Sequence, residues 1–472
     1  MRPSRSLTFI CVSCSLAIAL LPAAGNAAAQ AVDTMPQAAE PPALSFAEAQ
    51  ARLLQVSDAL GAADAAVRNR QDLQDATAWL RLPEVTGEIR RMNFQKSIYI
   101  PLGPLEPIAE AYGVDGPLHL KYEDWRTRPT VTAVLPLYTG GMIPAAQQAA
   151  AAATEQASAQ REGTRQSLAV QLVQAYFGQR LAEQALQVRR EVRDGLERHL
   201  QDATALEREG FATRAQRLQA TVARDKAERE YQKAVNDLAT LEAALSTLLR
   251  SGGTVRPVTQ LFVSSTPPGA FEDFERSALS GHPKVRELRA MVAQAEQGVR
   301  VQQAKLKPQV FLFGQYDFRR RDELISDPDW AFGIGLRYTF LSPNARPLQV
   351  GAARAQQDQA EAGLREAENQ VALGVRKAWN ELDTARQQYL LLDSSIGLAS
   401  ENLRLQDLAF REGQATSLDV IDARLQLGGA RIERAQAAYQ YDVALARLLE
   451  VSGQMDRYEE FRRSADKGID DE

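Results

Sequence analysis

The sequence predicts a mainly α-helical chain with a β-barrel part, built from one helix–strand–strand–helix unit used twice. Three observations predict it. A tight-turn motif is written twice, as Arg208-Glu209-Gly210-Phe211-Ala212-Thr213 and as Arg411-Glu412-Gly413-Gln414-Ala415-Thr416. Landmarks on either side of the motif recur at constant offsets. Between the helical stretches, apolar residues alternate with small or polar ones at the period of a strand.

Each turn motif ends one long helical pattern and opens another. Glycine after a helix accepts the left-handed conformation without a Cβ penalty. The threonine that follows caps the next helix: Thr213-x-x-Gln216 fits a capping box and Thr416-x-x-Asp419 its acidic variant.

The duplication fixes the organisation. Phe46 matches Phe271 and Pro83 matches Pro308, both displaced by 225 residues. Leu137-Tyr138 matches Phe340-Leu341, Pro144 matches Pro347, Ala175-Tyr176 matches Ala378-Trp379 and Arg208 matches Arg411, all displaced by 203. The 22-residue difference falls between Pro83 and Pro136, so the units differ by one longer connection in the first. This gives a first repeat over 30–250, a linker over 251–269, a second repeat over 270–453, and a polar tail over 454–472 that is expected to be loose from Arg462 to Glu472.

Residues 1–29 read as a secretory signal peptide: Arg2 and Arg5, an apolar run from Leu7 to Leu21, and small residues through Ala27-Ala28-Ala29. The run is short of the roughly 20 residues that a membrane span needs. Cys11 and Cys14 both lie inside it, and Cys11-Val12-Ser13 is a poor lipidation signal, so the mature chain is expected to hold without disulfides. The formal charge of -5 becomes more negative once Arg2 and Arg5 are removed, which argues against nucleic-acid binding. No later stretch approaches a membrane-spanning helix. Membrane residence must come from strands.

Four strands are expected, over about 84–95, 129–138, 309–319 and 330–340. In the last, Trp330, Phe332, Ile334, Leu336, Tyr338 and Phe340 alternate with Ala331, Gly333, Gly335, Arg337 and Thr339. Strands of about ten residues with that alternation build transmembrane barrels, and the aromatic face is then the lipid-facing one. A half-buried soluble hairpin is the competing reading. Four strands cannot close a barrel, and a membrane tolerates no open edge, so several chains must contribute. Three copies supply twelve strands. The Pro/Gly-rich connection from Ile98 to Trp125 is expected to be an exposed loop, with 321–329 as its shorter counterpart.

The longest helices are expected over 144–208 and 347–411, each roughly 100 Å at 1.5 Å per residue, with proline at the first helical position. Shorter helices return from the turns over 213–250 and 416–449, and others cover 58–79 and 283–306. Leu391, Leu398, Leu405 and Leu408 have coiled-coil spacing.

Signal peptide, duplicated units and paired glycine-bearing tips together resemble the TolC family of outer-membrane efflux and secretion ducts, over about 45–453. The most specific pieces are the two tips and the run Gly413 to Ala423, which carries Asp419 and Asp422. The resemblance implies a homotrimer with a twelve-stranded barrel in outer-membrane lipid and a long periplasmic α-helical tunnel. It also implies docking to a periplasmic adaptor (membrane fusion) protein and an inner-membrane pump. Asp419 and Asp422 fall where the family places carboxylates at the periplasmic constriction, with Gln216 at the matching place in the first tip. Gly210, Phe211, Ala212, Thr213, Gly413, Gln414, Ala415 and Thr416 resemble the adaptor-docking region. Three departures rewire the family's closing contacts: Gln216 for an aspartate, Phe410 for a tyrosine and Ala415 for an arginine.

The chain has no phosphate-binding loop, no Gly-x-Ser-x-Gly and no zinc-binding pattern, so no enzyme, cofactor or metal role is expected. His119, His199 and His282 are isolated in sequence, and His282-Pro283 reads as a helix start. The functional expectation is a passive exit duct for small molecules. The outer-membrane component of type I protein secretion is the alternative, followed by a periplasmic coiled-coil adaptor.

Overall fold

A computed structural model describes residues 41–318 and 329–469. The signal peptide over 1–29, most of the 321–329 loop and the last three residues lie outside the described residues. In chain order the elements are β1 (Ala43–Leu44), α1 (Phe46–Val56), α2 (Asp58–Ala78), β2 (Glu84–Ile100), α3 (Glu106–Ala111), β3 (Leu118–Tyr138), α4 (Met142–Arg208) and α5 (Arg214–Leu248). The order continues with β4 (Arg256–Pro257), β5 (Phe262–Val263), α6 (Phe271–Gly281), α7 (Pro283–Ala304), β6 (Gln309–Asp317) and β7 (Trp330–Arg337). It ends with α8 (Arg346–Arg411), α9 (Ser417–Val451), α10 (Tyr458–Ser464) and β8 (Lys467–Gly468).

Local chemistry sets the helix starts. Ser45 caps α1: its backbone N–H donates to the Glu48 carboxylate at 2.9 Å, and the Glu48 N–H donates to its hydroxyl. At α7 the His282 Nδ1 accepts the Lys284 N–H at 3.0 Å, with Pro283 first in the helix. The long helices begin slightly earlier than proline placement suggests. Met142 opens α4, so Pro144 is its third residue, and Arg346 precedes Pro347 in α8. A proline there still costs no hydrogen bond, because the first four N–H groups of a helix have no intrahelical acceptor.

One antiparallel sheet has the strand order β2-β3-β6-β7. The second pair lies close to expectation, but β6 stops at Asp317 and β7 at Arg337, so Tyr338 and Phe340 follow the strand rather than belong to it. The first pair departs further. Its connection is no loop from Ile98 to Trp125: pairing continues up to Ile100 opposite Leu118, giving strands of 17 and 21 residues. The reason is where the breakers fall. Pro101, Gly103, Pro104, Pro107, Gly113, Gly116 and Pro117 all sit between the strands, around α3, and the residues on either side keep strand alternation.

Aromatic packing fastens the helices together about halfway along the long ones. Phe46 meets Tyr176 edge-on at 5.5 Å between centroids, and Phe271 meets Trp379 edge-on at 6.0 Å. These are the same two positions in each repeat. The buried Tyr176 hydroxyl donates to the Leu44 carbonyl at 2.7 Å and accepts the Val258 and Thr259 N–H groups at 3.0 and 2.9 Å. It thereby holds the segment after α5 against α4, where β4 pairs in parallel with β1.

Over its described residues, including 462–469, the tail is packed. Tyr458 is 1 % exposed and Ile469 is 4 % exposed, and β8 pairs with β5. Its charged residues hide three apolar anchors (Tyr458, Phe461 and Ile469) that join the main core.

Candidate functional site: the paired helical tips

Both turns close in the same way. Gly210 has φ +83° and Gly413 φ +73°, the left-handed region that favours glycine. In the first turn the Phe211 N–H donates to the Leu206 carbonyl at 2.8 Å and the Gly210 N–H to Glu207 at 3.2 Å. In the second the Gln414 N–H donates to Ala409 at 2.8 Å and the Gly413 N–H to Phe410 at 3.0 Å. This pair of bonds is a Schellman motif, and it satisfies carbonyls that the helix end leaves open.

A capping box follows in each. The Thr213 N–H donates to the Gln216 side-chain oxygen at 2.7 Å, and the Thr416 N–H donates to the Asp419 carboxylate at 2.7 Å. The Thr416 hydroxyl donates to the same carboxylate at 2.6 Å. These bonds hold the Asp419 carboxyl below its ordinary range. Gln216 and Asp419 are therefore both engaged in their own turns. Asp422 lies three residues further along α9, on the same side as Asp419, and is exposed. At the tips themselves Phe211 is 79 % exposed, and Gln414 and Thr416 are exposed, while Ala212 and Ala415 are half-buried.

Behind the tips the two helical hairpins meet through residues that sequence reasoning missed. His199 on α4 and Ser417, the first residue of α9, are both buried, with His199 Nε2 2.7 Å from the Ser417 hydroxyl. The imidazole lies against the Phe410 ring, with centroids 4.7 Å apart. Phe410, Val420, Ala203 and Ala220 form a small apolar cluster around this contact. Burial pushes the His199 pKa down; Asp407 and Asp202 act upward and Arg424 downward. Arg424 donates to Asp407 at 2.9 Å, joining α9 to α8.

Two glycines allow α4 and α9 to approach. A Cβ on Gly195 would collide with the Arg424 guanidinium, and one on Gly428 would lie 2.5 Å from Val192. No periodicity or motif marks His199, which lies 218 residues from Ser417. Gly428-Gly429 inside a helical pattern was the only available hint of a close approach.

The expected barrel strands lie in the four-stranded sheet, away from the tips. Trp330, Phe332, Ile334 and Leu336 share one face of β7 and are 60–73 % exposed, opposite Tyr316, Gly314, Leu312 and Val310 of β6. Tyr338 and Phe340, beyond the strand, are exposed too. Among the described residues no helix is long and apolar enough to cross a membrane, and no group of three or more His, Cys, Asp or Glu could hold a metal ion.

The chain is similar to known proteins in fold and, over part of its length, to one sequence family. The family model described as "Outer membrane efflux protein" matches residues 276–454. The chain is 25% identical over 313 residues to outer membrane efflux protein BepC of Brucella suis biovar 1 (strain 1330), covering 65% of this chain and 68% of that protein. Its fold is similar to that of CusC, with a TM-score of 0.72 at 16% identity, over 86% of this chain and 92% of CusC. The CmeC outer membrane channel of Campylobacter jejuni matches with a TM-score of 0.69 at 14% identity, over 89% of both chains.

Proposed function

We propose that this chain is the outer-membrane exit duct of a tripartite efflux system. Three copies close a twelve-stranded barrel in the outer membrane, and their helices form a tunnel across the periplasm. The tunnel ends at the paired tips, which dock a periplasmic adaptor and, through it, an inner-membrane pump. The observation that carries this reading is the open-edged sheet. β2 and β7 are free edges in a single chain, and one face of β7 offers Phe332, Ile334 and Leu336 to its surroundings at 70–73 % exposure. Together they are an aggregation liability in water, and in lipid an edge is intolerable unless another strand pairs with it.

The duct reading gives each site residue a role. Asp419 and Asp422, repeated by threefold symmetry, make rings of negative charge at the inner constriction that favour cations. Gln216 lines the same level without charge. Phe211 and Gln414, at the apices of the turns, meet the adaptor. The exported cargo is small molecules, in keeping with the efflux domain; polypeptide export by a type I system uses the same architecture.

A single cysteine at Gln414, carrying a photocrosslinker, tests this in cells. Capture of an adaptor from a proton-driven pump supports small-molecule efflux, and capture of one from an ATP-driven exporter shifts the cargo to protein. An outer-membrane trimer that survives mild detergent yet captures no adaptor removes docking from the tips.

A further inference from the structure

The 22 extra residues of the first repeat are not spent on a loose loop. They lengthen the β2–β3 pair beyond the rest of the sheet. The last β3–β6 partners are Thr130 and Asp317, and the last β6–β7 partners are Tyr316 and Trp330. Above that level residues 91–100 pair with 118–127 as a two-stranded ribbon, about 30 Å long at 3.3 Å per residue. An isolated ribbon with both edges free is marginal in water.

Its faces are the informative feature. Within the sheet, the face that bears Phe332 and Ile334 continues as Val131 and Ala133 on β3 and as Val85 and Ile89 on β2. The opposite face carries Thr86, Glu88, Arg90, Thr130 and Gln315 over its middle. Glu88 pairs there with Arg90, and Arg128 donates to Asp317 at 2.9 Å. Apolar outside and polar inside is the pattern of a barrel wall.

Above the rim the pattern inverts without any change of register. Toward the far end of the ribbon, the side continuous with the polar interior becomes Ile98 and Ile100 on β2 opposite Leu120 and Leu118 on β3; nearer the sheet Met92 is on this side too, with Lys96, Asp124 and Arg126 at the intervening register positions. The other side becomes Gln95, Ser97, Lys121 and Glu123, with Tyr99 beside His119 at the far end and Trp125 near the sheet. In the single chain Met92, Leu118 and Leu120 are 37–46 % exposed.

We infer that the β2–β3 ribbon is a cap over the outer mouth of the duct, its apolar face packed against the same face of the two other copies. The inference rests on the trimeric barrel proposed above. The occupant follows from position. An apolar face that continues the barrel interior looks toward the threefold axis, where only the symmetry-related ribbons stand; lipid and bulky extracellular partners meet the polar side instead. Three such faces bury one another and leave water on Gln95, Ser97, Lys121 and Glu123. The connection of the second hairpin is 22 residues shorter, so the cap is assigned to the first repeat. Cargo leaves when the ribbons part.

The cysteine-free mature sequence makes this directly testable. Leu120→Cys on the inner side and Lys121→Cys on the outer side are oxidised with copper phenanthroline in outer-membrane vesicles, with trimer content read in mild detergent. The expected result is a dominant disulfide-linked dimer for Leu120→Cys and none for Lys121→Cys. In planar bilayers, Ile98→Lys combined with Leu120→Lys is expected to raise single-channel conductance several-fold, because three copies place six like charges in the packed centre. Intact trimers in which the two cysteines behave alike and the lysine variant conducts as the parent overturn the cap. Absence of trimers overturns the barrel reading itself, and the cap falls with it.

Discussion

The two tips have one backbone and two chemistries. Residues 203 apart occupy equivalent places, and both turns show the same left-handed glycine, the same Schellman bonds and the same threonine cap. Yet Glu207 and Arg217 form an ion pair at 2.6 Å across the first turn, where the second has Phe410 and Val420 in an apolar cluster. Arg214 opens α5 in solvent, while its counterpart Ser417 opens α9 fully buried against His199. The difference teaches that turn geometry and turn function are separable here. Glycine and threonine build either tip, and the side chains one helical turn back decide whether it stands free or is fastened to its neighbour.

The sharpest way to break the comparison is to remove the apolar fastening. Phe410 is 5 % exposed, and truncating a buried phenylalanine costs about 3–5 kcal/mol. Phe410→Ala should therefore lower the denaturation midpoint well below that of Glu207→Ala. A surface ion pair of this kind contributes about 1 kcal/mol or less. Equal losses for the two variants would mean that the fastening is not localised in the second tip.

Acid should act on the same contact. His199 has its folded pKa depressed by burial, so the unfolded chain binds more protons as the pH falls. The stability that neutral His199 contributes is complete above its ordinary value of about 6.5 and is lost as the pH drops through the lower folded value. The groups facing it are Asp407, Asp202 and Arg424. The parent should lose thermal stability between neutral and mildly acidic pH by more than His199→Gln does. Hydrogen exchange should place the loosening at the start of α9. Parallel pH profiles for the two proteins would remove His199 from the contact.

What the sequence disclosed follows from this split. Gly210, Gly413 and the Thr-x-x-Gln/Asp boxes act within six residues of one another, so the turns were legible locally. The matched offsets that aligned Phe46 with Phe271 and Tyr176 with Trp379 also picked out the two aromatic pairs that pack in each repeat. The His199–Ser417 contact joins helices through a single pair of side chains, which no periodicity encodes. The ribbon was hidden for another reason: its seven Pro and Gly residues drew attention to a turn and away from the strands on either side. The tail misled by its charge, since Arg462, Arg463 and Glu459 pair with one another on its surface while Tyr458 and Ile469 are buried.

Equality of the backbones can itself be tested. An alanine forced into the left-handed region costs about 1–2 kcal/mol, and no atom lies within 4 Å of a Cβ built on Gly210 or Gly413. Gly210→Ala and Gly413→Ala should therefore destabilise by similar amounts, with strain as the only cause. A much larger loss at Gly413 would show that the second turn is held by contacts with its neighbours, not by its own geometry.

The smallest effects on stability are expected at Asp419 and Asp422, and they separate capping from selectivity. One oxygen of the Asp419 carboxylate accepts both bonds from Thr416, and Gln216 fills the same place in the first tip with a neutral oxygen. Asp419→Asn should thus keep the turn, as the amide oxygen can accept the same bonds, and shift the midpoint only slightly. Asp422 is exposed and plays no part in the box, so Asp422→Asn should leave stability unchanged. If both carboxylates line the constriction, each substitution lowers cation-over-anion permeability measured as a reversal potential, and the pair together lowers it most. If only Asp422→Asn moves the potential, Asp419 is a cap and nothing more, and the two tips are then alike at that position in role as well as in geometry.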